Sequence, residues 1–184
     1  MKNLKHTFVL LLSLVFVTAW SQNQKLNTKN STFSWTGKAA FNAYALTGSL
    51  KAEKGQVTIN NDKIESLNVI INMKSLDHEN SDLKSHLRSA DFFEVTTYTK
   101  ATFKLIKPAK IENGKATVIG MMTIKGQSKQ ETIELTIKED TLSFSHIMDR
   151  TAYGIKYNSP SFFKKMKENA IADNFELKGT LVFK

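Results

Sequence analysis

From Ser31 to the C-terminus, apolar residues recur at every second position. Phe33 and Trp35 alternate with Ser34 and Thr36. Leu46, Gly48, Leu50 and Ala52 share one parity, and Leu67, Val69, Ile71 and Met73 form the longest clean alternation. Further runs contain Phe103 and Leu105; Val118, Gly120 and Met122; Ile133 and Leu135; Phe144 and His146; and Phe175, Leu177 and Gly179. A period of two puts alternate side chains on opposite faces of an extended strand, so the pattern predicts sheet with one apolar face. Turn signals separate the runs at Glu53-Lys54-Gly55, Asn60-Asn61-Asp62, Glu112-Asn113-Gly114, Lys125-Gly126-Gln127 and Glu139-Asp140. Such short connections make successive strands antiparallel. The count comes to about eight or nine strands with no crossover helix, which excludes a doubly wound parallel sheet.

One segment changes period. Leu83, Leu87 and Ala90 fall at helical spacing, with Ser81 as the predicted N-cap and Asp82 at the positive end of the helix dipole, which predicts one short helix around 81–90. A second irregular stretch runs from Asn158 to Glu168. A sheet of this size curls, and closure removes its edges. A closed barrel of about eight strands holds either its own side chains or a single ligand.

Composition narrows the class. The chain has 184 residues, 41% of them hydrophobic, enough for one domain with a sizeable core. Met1 to Ser21 reads as a secretory signal peptide: Lys2 and Lys5, an apolar run from Phe8 to Ala19, then Ala19-Trp20-Ser21 before a cleavage point at Gln22. The expected organisation is a leader over 1–21 and one barrel domain over 22–184, periplasmic or secreted. With no Cys, disulfides, thiolate metal sites and cysteine nucleophiles are excluded. The net charge is +9, but only Arg88 and Arg150 are arginines. Base readout favours the planar guanidinium fork, so a lysine excess is weak evidence for a nucleic-acid partner and is explained more simply by solubility or by attraction to an anionic surface.

The candidate chemistry is sparse. His78 in Asp77-His78-Glu79 has no partner at metal-ligand spacing, so no metal site is expected. His146 follows Leu142 and Phe144 on an apolar strand face, as a hydrogen-bonded core histidine or a ligand contact. There is no nucleophile elbow and no phosphate-cradling glycine loop, so no catalytic residue and no enzyme activity are expected. Phe162-Phe163-Lys164-Lys165-Met166-Lys167 sets aromatic rings beside ammonium groups. Such a cluster suits transient contact with an anionic membrane surface, or simply packs its rings and solvates its lysines.

Several segments together resemble the YceI-like family of exported polyisoprenoid-binding proteins. Asp82-Leu83, Leu87, Ser89, Asp91-Phe92-Phe93, Tyr98 and Phe103 are similar to the family's helix-to-strand signature. Gly120 to Lys129 resembles its hairpin, and Asp149-Arg150, Tyr153-Gly154-Ile155 its later segment. Phe33, Trp35 and Leu46-Thr47-Gly48 stand where its opening strands lie. The chain departs from the family at Ala39 to Tyr44, where histidines are common, and at Thr99, where proline is usual.

The resemblance implies an all-β, mainly antiparallel, lipocalin-like closed barrel. It would hold a long amphipathic lipid, a quinone-type or polyprenyl isoprenoid, as bound ligand and without a cofactor. The lining set expected from aromatic content is Phe33, Trp35, Phe41, Tyr44, Leu46, Phe92, Phe93, Phe103, Met122, Phe144, His146, Tyr153, Phe162 and Phe163. Each of these serves equally as ordinary core. Asp91 and Arg150 form either a buried pair closing the helix onto the barrel or a contact to a polar headgroup. The chain is expected as a monomer or homodimer. Two rivals stand beside lipid binding: an envelope stress or protein-interaction module with a filled barrel, and an enzyme with a polar dyad near His146.

Overall fold

The computed structural model describes residues 22–163 and 169–184. The signal-peptide expectation for 1–21, and the lysines at 164, 165 and 167, lie outside the described residues. In chain order the strands are β1 (Gln22–Lys25), β2 (Thr32–Ala39), β3 (Ala45–Asn60), β4 (Lys63–Asp77), β5 (Lys100–Leu105), β6 (Ala109–Lys110), β7 (Lys115–Ile124), β8 (Gln127–Lys138), β9 (Thr141–Asp149) and β10 (Ile171–Val182). The helix α1 (Ser81–Arg88) lies between β4 and β5, and a 3₁₀ turn over Arg150–Tyr153 follows β9.

All strand pairings are antiparallel, in the order β3-β2-β10-β9-β8-β7-β5-β4, and a β3–β4 pairing returns the last strand to the first. Eight strands therefore close a barrel. The short β1 adds to the far half of β3, and β6 adds to the start of β4. Tight turns carry positive φ where their geometry requires it. Asn113-Gly114 has φ of 50° and 71°, and Lys125-Gly126 has 47° and 72°, the paired left-handed values of a two-residue hairpin.

Glu53-Lys54-Gly55 is not a turn. β3 runs straight through it, with register shifts against β4 between Ser49 and Lys51 and between Ala52 and Lys54. Bulges of this kind bend a strand without ending it. The bend lets one 16-residue strand pair with β2 along Ala45–Leu50 and with β1 along Gln56–Ile59. The helix cap also moves by one residue from the expected Ser81. Asn80 is the N-cap, its Oδ1 accepting from the Leu83 N–H at 2.9 Å.

The two ends of the barrel differ. One carries the two-residue turns 61–62 and 139–140, the 26–31 connection, the 106–114 stretch that holds β6, and the short β1. It is plugged by Leu26, Val57, Ile64, Leu142 and Phe183, all buried. At the other end lie the three long connections: 40–44, 78–99 with α1, and 150–170. The wall is also uneven. β8 and β9 pair only through Thr136–Ser143, Ile137–Leu142 and Lys138–Thr141, so toward the long-loop end their backbones part. The 3₁₀ turn after β9 packs against β8 and β10 there.

Candidate functional site

Alternation along the strands delivers a continuous apolar lumen. An inner chamber of about 80 Å³ takes lining side chains from all eight closing strands and from Phe93; Thr102 is the one hydroxyl-bearing residue among them. Nearer the long-loop end lies an outer chamber of about 210 Å³, edged by Lys38, Tyr44, Leu46, Leu83, Leu87 and Phe92 and by the start of β10. Trp35, Phe93 and Phe175 line both chambers and form the partition between them.

Glycines on the inward face give the rings their seats. A Cβ at Gly48 would lie 2.4 Å from Trp35 Cζ2, and one at Gly179 would lie 2.3 Å from Phe144 Cε1. Both glycines stand directly across a strand pair from the aromatic they carry. Gly120, paired with Leu105, seats the diagonal Phe103 ring, its added Cβ falling 2.2 Å from Cζ. Each ring thus lies flat on the sheet, and room remains in the lumen.

The expected lining residues divide into three groups. Phe33, Phe103, Met122 and Phe144 line the inner chamber, Trp35 and Phe93 line both, and Tyr44, Leu46 and Phe92 line the outer one. His146 and Tyr153 line neither. The carboxylate of Glu131 accepts from the Tyr153 hydroxyl at 2.6 Å and lies 3.0 Å from His146 Nε2. A β8 side chain is thereby tied to β9 and to the turn that follows it, where backbone pairing has stopped. Burial, reinforced by Glu131, pushes the Tyr153 phenol well above its ordinary range. Phe41, Phe162 and Phe163 also line neither chamber; all three project at the rim, 67%, 47% and 49% exposed.

The expected Asp91–Arg150 pair does not form. Asp91 is exposed and lies 3.7 Å from His86 Nε2. Arg150 is buried and donates to three main-chain oxygens: Ala172 at 3.0 Å, Ile155 at 2.9 Å and Ile171 at 2.9 Å. Its nearby carboxylate is Asp173, at 3.7 Å, and its guanidinium sits over the Phe92 ring. Burial lowers the Arg150 pKa, partly offset by Asp173 and Asp149. Burial alone would raise Asp173, but the hydrogen bond from Ser161 and the charge of Arg150 hold it below its usual value. Arg150 therefore clamps the 150–155 segment to β10, with one donor on each of its three nitrogens given to a main-chain carbonyl.

Sequence reasoning missed part of the lumen. Phe175, Leu177 and Leu181 on β10 line it, as do Val118 and Leu135. Their signal was present, since they share the inward parity of their strands; selection by aromatic character passed over the aliphatic four, and Phe175 was omitted although its ring and parity both marked it. Glu131 was missed as well; its inward parity with Ile133 and Leu135 was the available clue. Among the described residues no His, Asp or Glu lines either chamber. Among the described residues no three His, Asp or Glu side chains converge as metal ligands.

Comparison with known proteins is consistent across sequence and structure. The model of the YceI-like domain matches residues 24–183. A UPF0312 protein of Vibrio parahaemolyticus is 40% identical over 68 residues, 37% of this chain and 36% of that protein. The first relatives are thus matched over little more than a third of their length. A UPF0312 protein of Vibrio vulnificus is 27% identical over 135 residues, 72% of this chain and 71% of its own. Among solved structures, BcnA of Burkholderia cenocepacia superposes with a TM-score of 0.69 at 22% identity, covering 85% of this chain and 98% of that one. A polyisoprenoid binding domain from Saccharophagus degradans, implicated in plant cell wall breakdown, gives 0.62 at 11% identity, covering 88% and 97%. At these identities the structural likeness establishes the barrel fold.

Proposed function

Because the chain belongs to the YceI-like family, we propose that its barrel binds a long amphipathic lipid, a quinone-type or polyprenyl isoprenoid, for carriage or storage in the cell envelope. The observation that carries this reading is the lumen itself: an apolar surface contributed by every closing strand, leading into a wider chamber at the long-loop end. The Saccharophagus degradans neighbour, described as a polyisoprenoid binding domain, supports it.

Such a ligand is held chiefly by transfer of its hydrocarbon from water, worth about 0.8 kcal/mol per buried methylene. Ordering of the chain and loss of translational freedom offset much of that gain. The tail belongs in the inner chamber, where no charged side chain lines the wall. The polar head belongs in the outer chamber, beside Lys38, Tyr44 and Asn169. Arg150 lines that chamber but already donates to three carbonyls, so it holds the wall rather than the head. The chambers, about 80 and 210 Å³, together sit at the low end of the roughly 300–1,000 Å³ of ordinary ligand pockets. A long prenyl tail must therefore displace the partition formed by Trp35, Phe93 and Phe175.

Organic extraction of the natively purified protein, followed by mass spectrometry, tests the proposal. A prenyl lipid near one equivalent is the expected result. An empty extract from a host rich in such lipids would instead assign the barrel a filled core and a surface-borne role.

A further inference from the structure

We propose that the rim formed by the 40–44 and 156–163 segments docks on an anionic bilayer surface, placing the mouth of the lumen against the lipid. Exposed large hydrophobic side chains are concentrated there: Phe41 at 67%, Tyr44 at 62%, Phe162 at 47% and Phe163 at 49%. Local bonding holds them outward. Asn42 Oδ1 accepts from the Tyr44 N–H at 2.8 Å, and the Phe162 and Phe163 N–H groups both donate to the Ser159 carbonyl. The two segments adjoin the same stretch of chain, since Ala40 N–H donates to Ala170 O and Ile171 N–H donates to Asn158 O. Tyr44 is at once exposed and part of the outer chamber wall, so the aromatic rim is continuous with the lumen.

Charge selects the partner. Lys38 is exposed at the rim, and the Lys156 ammonium lies 4.5 Å from the Phe162 ring centroid. Among the described residues the nearby acids are occupied internally: Asp149 caps Thr151, Asp173 accepts from Ser161 and faces Arg150, and Glu176, within reach of the Lys38 charge, accepts from Ser145 and pairs with Lys178. The exposed acids Glu79, Asp82 and Asp91 lie on the α1 side of the mouth instead. Rings flanked by ammonium groups, with the neighbouring described carboxylates already engaged, match the headgroup zone of an anionic leaflet, where rings sit at the acyl boundary and lysines meet phosphates. The net charge of +7 over residues 22–184, from 24 basic and 17 acidic residues, acts in the same direction at longer range.

The proposal rests on the lipid-carrier reading for its purpose, and its test is independent of it. Co-sedimentation would use vesicles free of isoprenoid, made of phosphatidylcholine alone or mixed with phosphatidylglycerol. Binding is expected only to the mixed vesicles and is expected to weaken with salt. Lys38→Gln and Lys156→Gln are each expected to weaken it about five-fold, the worth of one lysine near such a surface. Phe41→Ser combined with Phe162→Ser should abolish it, whereas Ile147→Ser, exposed on the barrel side, should leave it unchanged. Equal binding by the rim variants, or none to mixed vesicles, overturns the proposal and leaves the rim to a protein partner. Neither result bears on whether the lumen yields a lipid on extraction.

Discussion

Three carbonyl oxygens from two separate segments converge on the guanidinium of Arg150. A planar, five-donor fork meets that demand, and no other side chain can. The sequence marks Arg150 through its resemblance to a family segment, but it cannot name the partner. Asp91 stands in the other segment that carries the family resemblance, while Asp173 reaches the site because β10 begins beside the 3₁₀ turn. Arg150→Ala leaves these carbonyls and Asp173 without their cation in a buried place, and is expected to cost about 3–5 kcal/mol in chemical denaturation. Arg150→Lys should recover only part of that loss, because a point charge cannot serve three divergent acceptors. Asp91→Asn, at an exposed carboxylate, should change stability by no more than about 0.5 kcal/mol. A severe loss in Asp91→Asn with a mild one in Arg150→Ala would reverse the assignment.

At the level of elements, the period-two runs were legible almost completely, because a half-buried strand cannot hide its alternation. The boundaries were less so. Glu53-Lys54-Gly55 has turn chemistry and lies inside β3, where bulges against β4 absorb it; long-range pairing outweighed the local signal. The α1 start shows the opposite case, in which two good capping residues stand side by side and only the backbone decides. Asn80 has extended φ and ψ, and its side chain takes the Leu83 N–H. Asn80→Ala should therefore lower stability by about 1 kcal/mol. Ser81→Ala, inside the first turn, should leave the thermal midpoint nearly unmoved, since Ala is the better helix former. If the two substitutions traded places, the cap would belong to Ser81.

For the whole molecule, closure followed from counting strands that would otherwise carry exposed edges. The state of the interior did not. A ring facing a packed core and a ring lining a lumen have the same parity, and only the coordinates of their neighbours separate them. The difference lies in Gly48, Gly120 and Gly179, which take up Trp35, Phe103 and Phe144. At each seat a hydrogen stands where any other residue would carry a carbon, so the bore of the barrel is set in increments of one methyl group. Gly179→Ala would lift the Phe144 ring off its seat and into the inner chamber, costing about 1–3 kcal/mol as an overpacked core does. It should also shorten the lipid recovered by extraction, or empty the barrel, while the circular dichroism of the sheet persists. A barrel built on this plan can thus change the calibre of its lumen without altering a strand, a turn or the register between them.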